Sequence, residues 1–396
     1  MIITVLLGLL FSEAQSIRYQ IQRHQTIMDP IHDIHQVEYR VQMQFGSQKQ
    51  PMELIIDTGS SDLWIPSIDA KGFLNNVNRY DWKASSTCIN THSSYSIFYD
   101  DGPISGTLVW DQVWMHNIKF NQSFLLIERA SGNMASSGGI LGLGFNTNAA
   151  NPNPSILESL YEQKLISKKY FSLYLKDEGE FGSYILFGGI DMQFVEKDQK
   201  ISYVPLISDN QYLMGIEGMS IDDELFSITT ALVDSGTSCL TVPAVAMDDM
   251  LQVFAAKGVE CSYRVENYAP SYCTVHCFVN ATNEQGIIDS FPIIKIRVNS
   301  SFELLLNPQD YLYSCTILDG SQSKCNTKLE RSQIDDILLL GDAFLHSYYT
   351  VFDQTDKQIG FAHSINNKVL KLHVKTRHLV NYAQTLILYI TLLLVI

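Results

Sequence analysis

A short motif occurs twice in this chain, and the repeat restricts the fold more than any other feature of the sequence. The first copy is IIDTGSSDLWIP at 55–66, and the second is LVDSGTSCLTVP at 232–243. In each copy an apolar run leads into Asp, then Thr or Ser, then Gly. Each half of the chain also contains a second related segment, GGILGLGF at 138–145 and LLLGDAF at 338–344. Pairs of segments repeated in the same order predict two lobes of similar topology.

The rest of the sequence is mainly β in pattern. Apolar and polar residues alternate at the strand period in YRVQMQF (39–45), YSIFY (95–99) and IKIRV (294–298). Two helices are predicted, at 155–166 with a serine N-cap and at 244–258 with a glycine C-cap. The chain has 396 residues, of which 46% are hydrophobic and 17% charged, so it can bury the cores of two lobes. We therefore predict a mainly β, bilobal fold with a few helices.

The charge balance excludes one class of partner. The formal net charge is -15 and the sequence pI is about 5.0. Such a surface repels phosphate backbones, and no basic patch that would bind nucleic acid appears in the sequence, so we expect no nucleic-acid binding. An acidic protein of this kind suits an acidic or extracellular compartment.

Both ends of the sequence carry apolar segments. The run at 2–11 is followed by the small residues Ala14 and Ser16, which predicts a secretory signal at 1–16, with a buried strand as the alternative. The segment at 382–396 is apolar but shorter than the roughly twenty residues that cross a bilayer untilted. It follows a basic stretch, so we expect membrane association, through a short anchor or a removable lipid-attachment signal, with a core helix as the alternative.

The seven cysteines are expected to pair if the chain enters an oxidising compartment. Five of them lie between Cys261 and Cys325, which predicts two disulfides in the second half but does not fix their connectivity. A zinc site formed by Cys273, His276 and Cys277 is a weaker alternative, because no second ligand pair has zinc-site spacing. Acceptor tripeptides for N-glycosylation begin at Asn121, Asn280 and Asn299.

The two aspartates of the repeated motif, Asp57 and Asp234, indicate a specific chemistry. Two carboxyl groups within about 3 Å cannot both ionise cheaply, so such a pair shares one proton. A water molecule held between them can lose a proton to the ionised partner while it attacks a carbonyl carbon. The protonated partner then donates to the developing oxyanion, and no metal, cofactor or covalent nucleophile is needed. The pair therefore predicts hydrolysis of peptide bonds.

The residues beside the aspartates fit the same chemistry. Gly59 and Gly236 lack a Cβ, so backbone N–H groups can approach the carboxylates closely. Short hydroxyl side chains flank both glycines. Those of Thr58 and Ser235 are expected to cross-link the two turns, and those of Ser60 and Thr237 to hydrogen-bond the outer carboxylate oxygens.

On these motifs the chain resembles the pepsin-like (A1-type) aspartic protease family, from about Glu38 to Ala362. IIDTGSSDLWIPS and LVDSGTSCLTVP are similar to the two catalytic stretches of that family. The segments GGILGLGF and LLLGDAFLHSYYTVFD are similar to those that the family threads behind each catalytic loop. The resemblance implies two β-rich lobes with a substrate cleft between them, catalytic roles for Asp57 and Asp234, and protein or peptide substrates for a monomeric enzyme.

The resemblance also implies a hairpin that closes over the cleft, in SIFYDDGPISG. The family's cleft-covering tyrosine falls on Tyr99, with Gly102 near the hairpin tip, and the supporting tryptophan falls on Trp64. Core packing is the alternative role for that tryptophan. This chain departs from the family at the tip, where it has Asp100 and Asp101 instead of small residues. We expect that negative charge to disfavour acidic substrate side chains and to favour basic ones.

Two further departures bear on regulation. Relatives carry a basic prosegment, whereas the prosegment-like stretch here, 17–37, is short, so that inhibition is partial or the enzyme is controlled by pH. The first lobe lacks the small disulfide loop that follows the first motif in relatives, which leaves Cys88 without an obvious partner. The predicted boundaries are a signal at 1–16, the prosegment-like stretch at 17–37, lobes at 38–190 and 191–365, and a tail at 366–396.

Three functional classes remain from the sequence, and the first, an aspartic protease, divides into two. A lysosomal or vacuolar digestive protease and a membrane-anchored processing protease at the cell surface both fit the motifs. A catalytically inactive pepsin-fold binding protein at the cell surface is a second class, although loss of activity normally alters an aspartate or its glycine. A structural or adhesive surface protein is a third, suggested by the tail and the glycosylation tripeptides, and it would not require the hydroxyl groups around the aspartates.

Overall fold

The computed structural model describes residues 27–34, 38–99, 102–132, 134, 137–176, 182–263, 273–318, 320–332, 336–365 and 370–374. Strands predominate within these residues, which confirms the predicted mainly β fold. The strands are β1 Ile27–Ile34, β2 Glu38–Phe45, β3 Gln50–Asp57, β4 Leu63–Lys71, β5 Ile89–Tyr99, β6 Gly102–Met115, β7 Ile118–Ala130, β8 Ile140–Gly142, β9 Tyr170–Tyr174, β10 Ser183–Phe187, β11 Ser202–Pro205, β12 Leu213–Gly215, β13 Gly218–Ile221, β14 Glu224–Phe226, β15 Thr230–Val233, β16 Leu240–Val242, β17 Val259–Tyr263, β18 Val275–Val279, β19 Ile294–Asn299, β20 Phe302–Leu306, β21 Leu312–Ile317, β22 Ser323–Thr327, β23 Leu329–Arg331, β24 Ile337–Leu340, β25 Tyr348–Asp353, β26 Gln358–His363 and β27 Lys371–Val374.

The helices are short. They are α1 Ile156–Glu162, α2 Ala244–Ala256, α3 Glu284–Ser290, α4 Pro308–Tyr311 and α5 Asp342–Leu345. The two predicted helices are α1 and α2. Ser155 caps α1 by accepting a hydrogen bond from the Glu158 amide, and Gly258 follows the end of α2 with a φ of +80°. Helix α1 ends earlier than predicted, because Lys164 adopts a left-handed conformation with a φ of 60°.

One sheet joins the two halves of the chain. Its 13 strands run in the order β11-β26-β25-β9-β10-β1-β2-β3-β8-β4-β7-β6-β5. Strand β25, from the second half, pairs with β9, from the first, and the rings of Phe352 and Phe171 stack there with centroids 4.8 Å apart. Strand β1 lies between β10 and β2, so a cut after Ile34 would remove a strand from inside the sheet. The two halves of the chain therefore share one continuous hydrogen-bonded sheet.

The second half contributes three smaller sheets. Strands β12-β15-β24-β16-β23 form the sheet that leads to the second motif, and β14-β13-β19-β20 form another. The third sheet has the order β17-β18-β22-β21-β27. Buried apolar side chains form one large core cluster that reaches both halves, a smaller cluster beneath the β5–β6 hairpin and a third that includes Tyr174, Phe194 and Tyr349. Among the described residues, no helix is both long and apolar enough to span a membrane.

Six cysteines form three disulfides within the described chain. All three lie in the second half, one more than the two predicted there. Cys261–Cys277 and Cys315–Cys325 lie within the local cluster, and each joins directly opposed residues of neighbouring strands. The third bridge reaches back from Cys273 to Cys239. Because both cysteines of the alternative zinc site are in disulfides, their sulfurs are not thiolate ligands.

Cys88 has a free thiol, as its lack of a nearby sequence partner suggested. Burial raises the pKa of this thiol to about 12, and the adjacent negative charge of Asp111 contributes. Since the thiolate is the reactive form, this shift disfavours reaction of the Cys88 thiol.

Candidate active site

Each motif aspartate lies at the end of a strand that is paired with the second segment of the same half. Strand β3 ends at Asp57 and runs parallel to β8, with Asp57 opposite Gly142. Strand β15 ends one residue before Asp234 and runs parallel to β24, with Val233 opposite Leu340. The two segments repeated in the sequence are therefore neighbouring strands in both halves.

The turns after the two strands are joined by reciprocal hydrogen bonds. The Thr58 amide donates to the Ser235 hydroxyl oxygen at 3.1 Å, and the Ser235 amide donates to the Thr58 hydroxyl oxygen at 2.9 Å. Each hydroxyl then donates to a carbonyl of the opposite strand, that of Val233 or of Ile56, at 2.9 Å. All four bonds are buried, so these side chains fix the two turns against each other.

The Asp57 carboxylate accepts bonds from its own turn. Its Oδ1 accepts from the amides of Gly59 at 2.9 Å and Ser60 at 3.1 Å. Its Oδ2 accepts from the Ser60 hydroxyl. Asp57 is 7% exposed, so these donors replace water around a buried carboxyl group.

The Asp234 carboxylate has the matching arrangement. Its Oδ1 accepts from the Gly236 amide at 2.9 Å, and its Oδ2 accepts from the Thr237 hydroxyl at 2.8 Å. The inner oxygen of each aspartate therefore meets a backbone amide, and the outer oxygen meets a hydroxyl. Two chemically similar carboxyl groups occupy one site.

The two glycines set how closely the carboxyl groups approach. A Cβ on Gly59 would lie 2.6 Å from Asp234 Oδ1, and a Cβ on Gly236 would lie 2.6 Å from Asp57 Oδ1. Each carboxylate thus sits against the glycine beside its partner. Burial, and next the charge of Asp234, raise the pKa of Asp57 from 3.8 to about 7. The pair can therefore hold a proton at a pH where a solvated carboxyl group has lost it.

The β5–β6 hairpin carries the predicted covering tyrosine. Tyr99 is opposite Gly102 across the hairpin, and its hydroxyl accepts a hydrogen bond from Trp64 Nε1 at 3.2 Å. Burial and the negative charge of Asp57 raise the pKa of the Tyr99 phenol. Asp100 and Asp101, which the sequence predicts at the hairpin tip, lie outside the described residues.

The Trp64 indole N–H is a testable positioning contact. We expect Trp64→Phe to lower kcat/KM about fivefold, because loss of one hydrogen bond of about 1 kcal/mol leaves the Tyr99 hydroxyl less well placed over the cleft. Steady-state cleavage of a fluorogenic peptide measures the change. Trp82→Phe is the matched control, since Trp82 packs against the large core cluster and not against the cluster beneath the hairpin that contains Trp64. Equal losses in the two variants would contradict a positioning role for the indole.

Sequence reasoning missed Asp62, which braces the first catalytic turn. Its carboxylate is 3% exposed and accepts bonds from the Ala150 amide at 2.8 Å and from Asn151 Nδ2 at 2.6 Å. Its carbonyl accepts from the Gly142 amide at 3.1 Å. Asp62 therefore ties the loop after Asp57 to the second segment of the first half. The sequence did carry a signal for this role, since Asp62 is a charged residue within a motif made mostly of apolar and small residues.

Within the described residues, no group of three or more His, Cys, Asp or Glu side chains could hold a metal ion.

Comparison with known proteins places these features in a family. The sequence matches the family described as eukaryotic aspartyl protease over residues 38–364. It is 29% identical to pepsin A of Sus scrofa over 346 residues, covering 84% of this chain and 83% of that protein. It is also 29% identical to pepsin A of Bos taurus over 345 residues, with 84% and 86% covered, and to gastricsin of Cavia porcellus over 339 residues, with 82% and 79% covered. This chain belongs to the eukaryotic aspartyl protease family.

Proposed function

We propose that this protein is an aspartic endopeptidase that hydrolyses peptide bonds at acidic pH through a water molecule activated between Asp57 and Asp234. The observation that carries the proposal is the mutual packing of each carboxylate against the other's glycine, with matched donors on both. Two similar carboxyl groups packed this closely favour a state in which they share one proton. That state contains both a general base and a general acid.

The proposed reaction uses the two carboxyl groups in turn. The ionised carboxylate takes a proton from the water as its oxygen attacks the carbonyl carbon of the peptide. The protonated partner donates to the carbonyl oxygen, which gives a neutral tetrahedral intermediate. The carboxyl group that now holds the proton donates it to the amide nitrogen, and the other carboxylate takes a proton from a hydroxyl group of the intermediate as the carbonyl re-forms and the C–N bond breaks, so the pair again holds one proton. Closure of the β5–β6 hairpin, with Tyr99, would exclude bulk water during these steps.

A direct test is cleavage of a denatured protein, such as haemoglobin or casein, at acidic pH. We expect hydrolysis that a statine-type inhibitor blocks, because that inhibitor carries a hydroxyl group in the place of the attacking water. An inactive binding protein at the cell surface would bind a peptide or the inhibitor without turnover, and no feature of the site favours that alternative. Inhibitor binding without cleavage of any protein substrate would overturn the proposal.

The raised pKa of Asp57 predicts the alkaline limit of activity. Below about pH 7 the pair retains its shared proton, and above it Asp57 ionises, so the acid that must protonate the carbonyl oxygen is lost. We expect kcat/KM for a neutral peptide to fall as pH rises through about 7, by about tenfold per pH unit. A stopped-time assay in buffers of constant ionic strength measures this alkaline limb of the pH–activity profile. Undiminished turnover at about pH 9 would contradict the shared-proton mechanism.

We propose passage through the secretory pathway, with residues 1–16 as the signal and the lysosome, vacuole or cell surface as the destination. The three disulfides fit an oxidising compartment. All three asparagines of the glycosylation tripeptides are exposed, as a glycoprotein requires. The lobes at 38–190 and 191–365, a monomeric state and membrane association through the tail at 366–396 belong to the same proposal.

A further inference from the structure

The last described strand, β27, lies beyond the residues that match the family. The match ends at 364, whereas β27 covers Lys371–Val374 and pairs in parallel with β21 at the edge of the sheet β17-β18-β22-β21-β27. The sequence that follows β27 contains Lys375 and Arg377 and then the apolar segment at 382–396. Strand β27 therefore fixes the position of the chain on the second half shortly before this segment in sequence.

The two faces of that sheet differ in chemistry. The inner face carries both local disulfides in one row across the sheet, continued by the partly buried Leu372, and it packs on the core. The outer face carries the alternate residues. Opposed residues on this face form two rows across the strands. The first row is Ser262, His276, Asn326, Ser314 and Lys371. The second row is Glu260, Phe278, Lys324, Thr316 and His373.

The outer face combines lysines with aromatic rings. Lys324 Nζ lies 5.8 Å from the centroid of the Phe278 ring, and Lys371 Nζ lies 5.6 Å from that of Tyr313. Both lysines and both rings are half-buried. Glu260, on the opposite edge strand, is the acidic residue in these two rows. A half-buried ring beneath an ammonium group suits the boundary between lipid headgroups and acyl chains.

The charge of this region is opposite to that of the whole chain. The formal net charge is -15, yet the sequence has no Asp or Glu after Asp356. From Lys371 to Arg377 basic residues or histidine occupy every second position. The strand alternation places the first two of these, Lys371 and His373, on the outer face of the sheet. A basic surface is thus continuous in sequence with a segment that we propose enters a membrane.

We propose that the outer face of the sheet β17-β18-β22-β21-β27 docks on an anionic lipid bilayer. This surface goes beyond the proposed peptidase activity and does not depend on it. Phosphate and carboxylate headgroups complement Lys324 and Lys371, and the adjacent apolar segment brings the surface to the bilayer. Docking on this face would hold the protein in a defined orientation instead of leaving it free to rotate on its tail.

The test is co-sedimentation of the full chain with vesicles of phosphatidylcholine alone or with about 30% phosphatidylserine. The measured quantity is the ratio of the two dissociation constants, which isolates the charge-dependent part of binding. We expect the wild type to prefer anionic vesicles. In the double variant Lys324→Ser/Lys371→Ser, this preference ratio should fall about fivefold for each lysine replaced. Added salt should reduce the ratio for the wild type.

The matched control is Lys197→Ser/Lys200→Ser, which makes the same charge change at two exposed lysines in the loop before β11. Cleavage of a soluble peptide, measured in parallel, reports the peptidase proposal separately. An unchanged ratio in Lys324→Ser/Lys371→Ser, an equal loss in the control, or no wild-type preference for anionic vesicles would each overturn the docking surface. Lysine-dependent binding to heparin without vesicle preference would also overturn it and assign the face to an acidic polysaccharide.

Discussion

Replacing either paired aspartate, by Asp57→Asn or by Asp234→Asn, is expected to lower kcat/KM for a peptide substrate by about 10⁴-fold. An asparagine cannot take a proton from water or give one to the carbonyl oxygen, so either variant lacks a complete acid–base pair. The amide nearly matches the carboxylate in shape. Its oxygen can keep the bonds from Gly59 and Ser60, or from Gly236, that hold the native side chain. The loss should therefore reflect chemistry and not unfolding.

A buried aspartate outside the site supplies the control. Asp111 is 3% exposed and accepts bonds from the Tyr80 and Thr87 hydroxyls at 2.6 Å. We expect Asp111→Asn to lower the melting temperature but to leave kcat/KM of the folded protein within a few-fold of wild type, since Asp111 does not meet the pair. Near-wild-type cleavage by either Asp57→Asn or Asp234→Asn, measured on protein free of wild-type enzyme, would refute the assignment.

The sequence located the paired turns because their determinants are local and repeated. An apolar strand that ends in Asp-Thr-Gly or Asp-Ser-Gly prescribes both the strand and the hydrogen bonds inside the turn, as the contacts of Ser60 and Thr237 show. The prediction that Thr58 and Ser235 would meet depended on the second repeated segment in each half. That repeat indicated two lobes built alike, so that their equivalent turns could face each other.

Features that depend on contacts between residues far apart in sequence cannot be predicted from the local sequence. The bridge from Cys239 to Cys273 depends on where β16 lies relative to the residues before β18, and no spacing rule encodes that position. Asp62 gains its role from Asn151, 89 positions later. Strand β27 is too short for its alternation to stand out, and its partner β21 lies more than fifty residues earlier. In each case the pairing is decided by tertiary packing and not by local propensity.

The second large effect is expected from a single added methyl group, in Gly59→Ala or Gly236→Ala. Neither glycine has the left-handed φ that disfavours alanine, so the consequence comes from contact. The new Cβ would lie 2.6 Å from a carboxylate oxygen of the opposite aspartate in either variant, which is too close for both to keep their places. Because a displacement of about 1 Å in a catalytic group can cost about 100-fold, we expect kcat/KM to fall by about that factor in each variant.

Gly215→Ala is the matched control, since its Cβ would meet Ile207 Cγ2 at an ordinary 3.6 Å, and we expect its activity to stay near wild type. The pH profile of the two site variants gives a second, independent readout. The charge of Asp234 helps to raise the pKa of Asp57, so moving the carboxyl groups apart weakens that effect. The alkaline limb should then shift below its wild-type position near pH 7. A limb that stays in place while activity falls would show that the glycines serve folding alone and do not set the separation on which the shared proton depends.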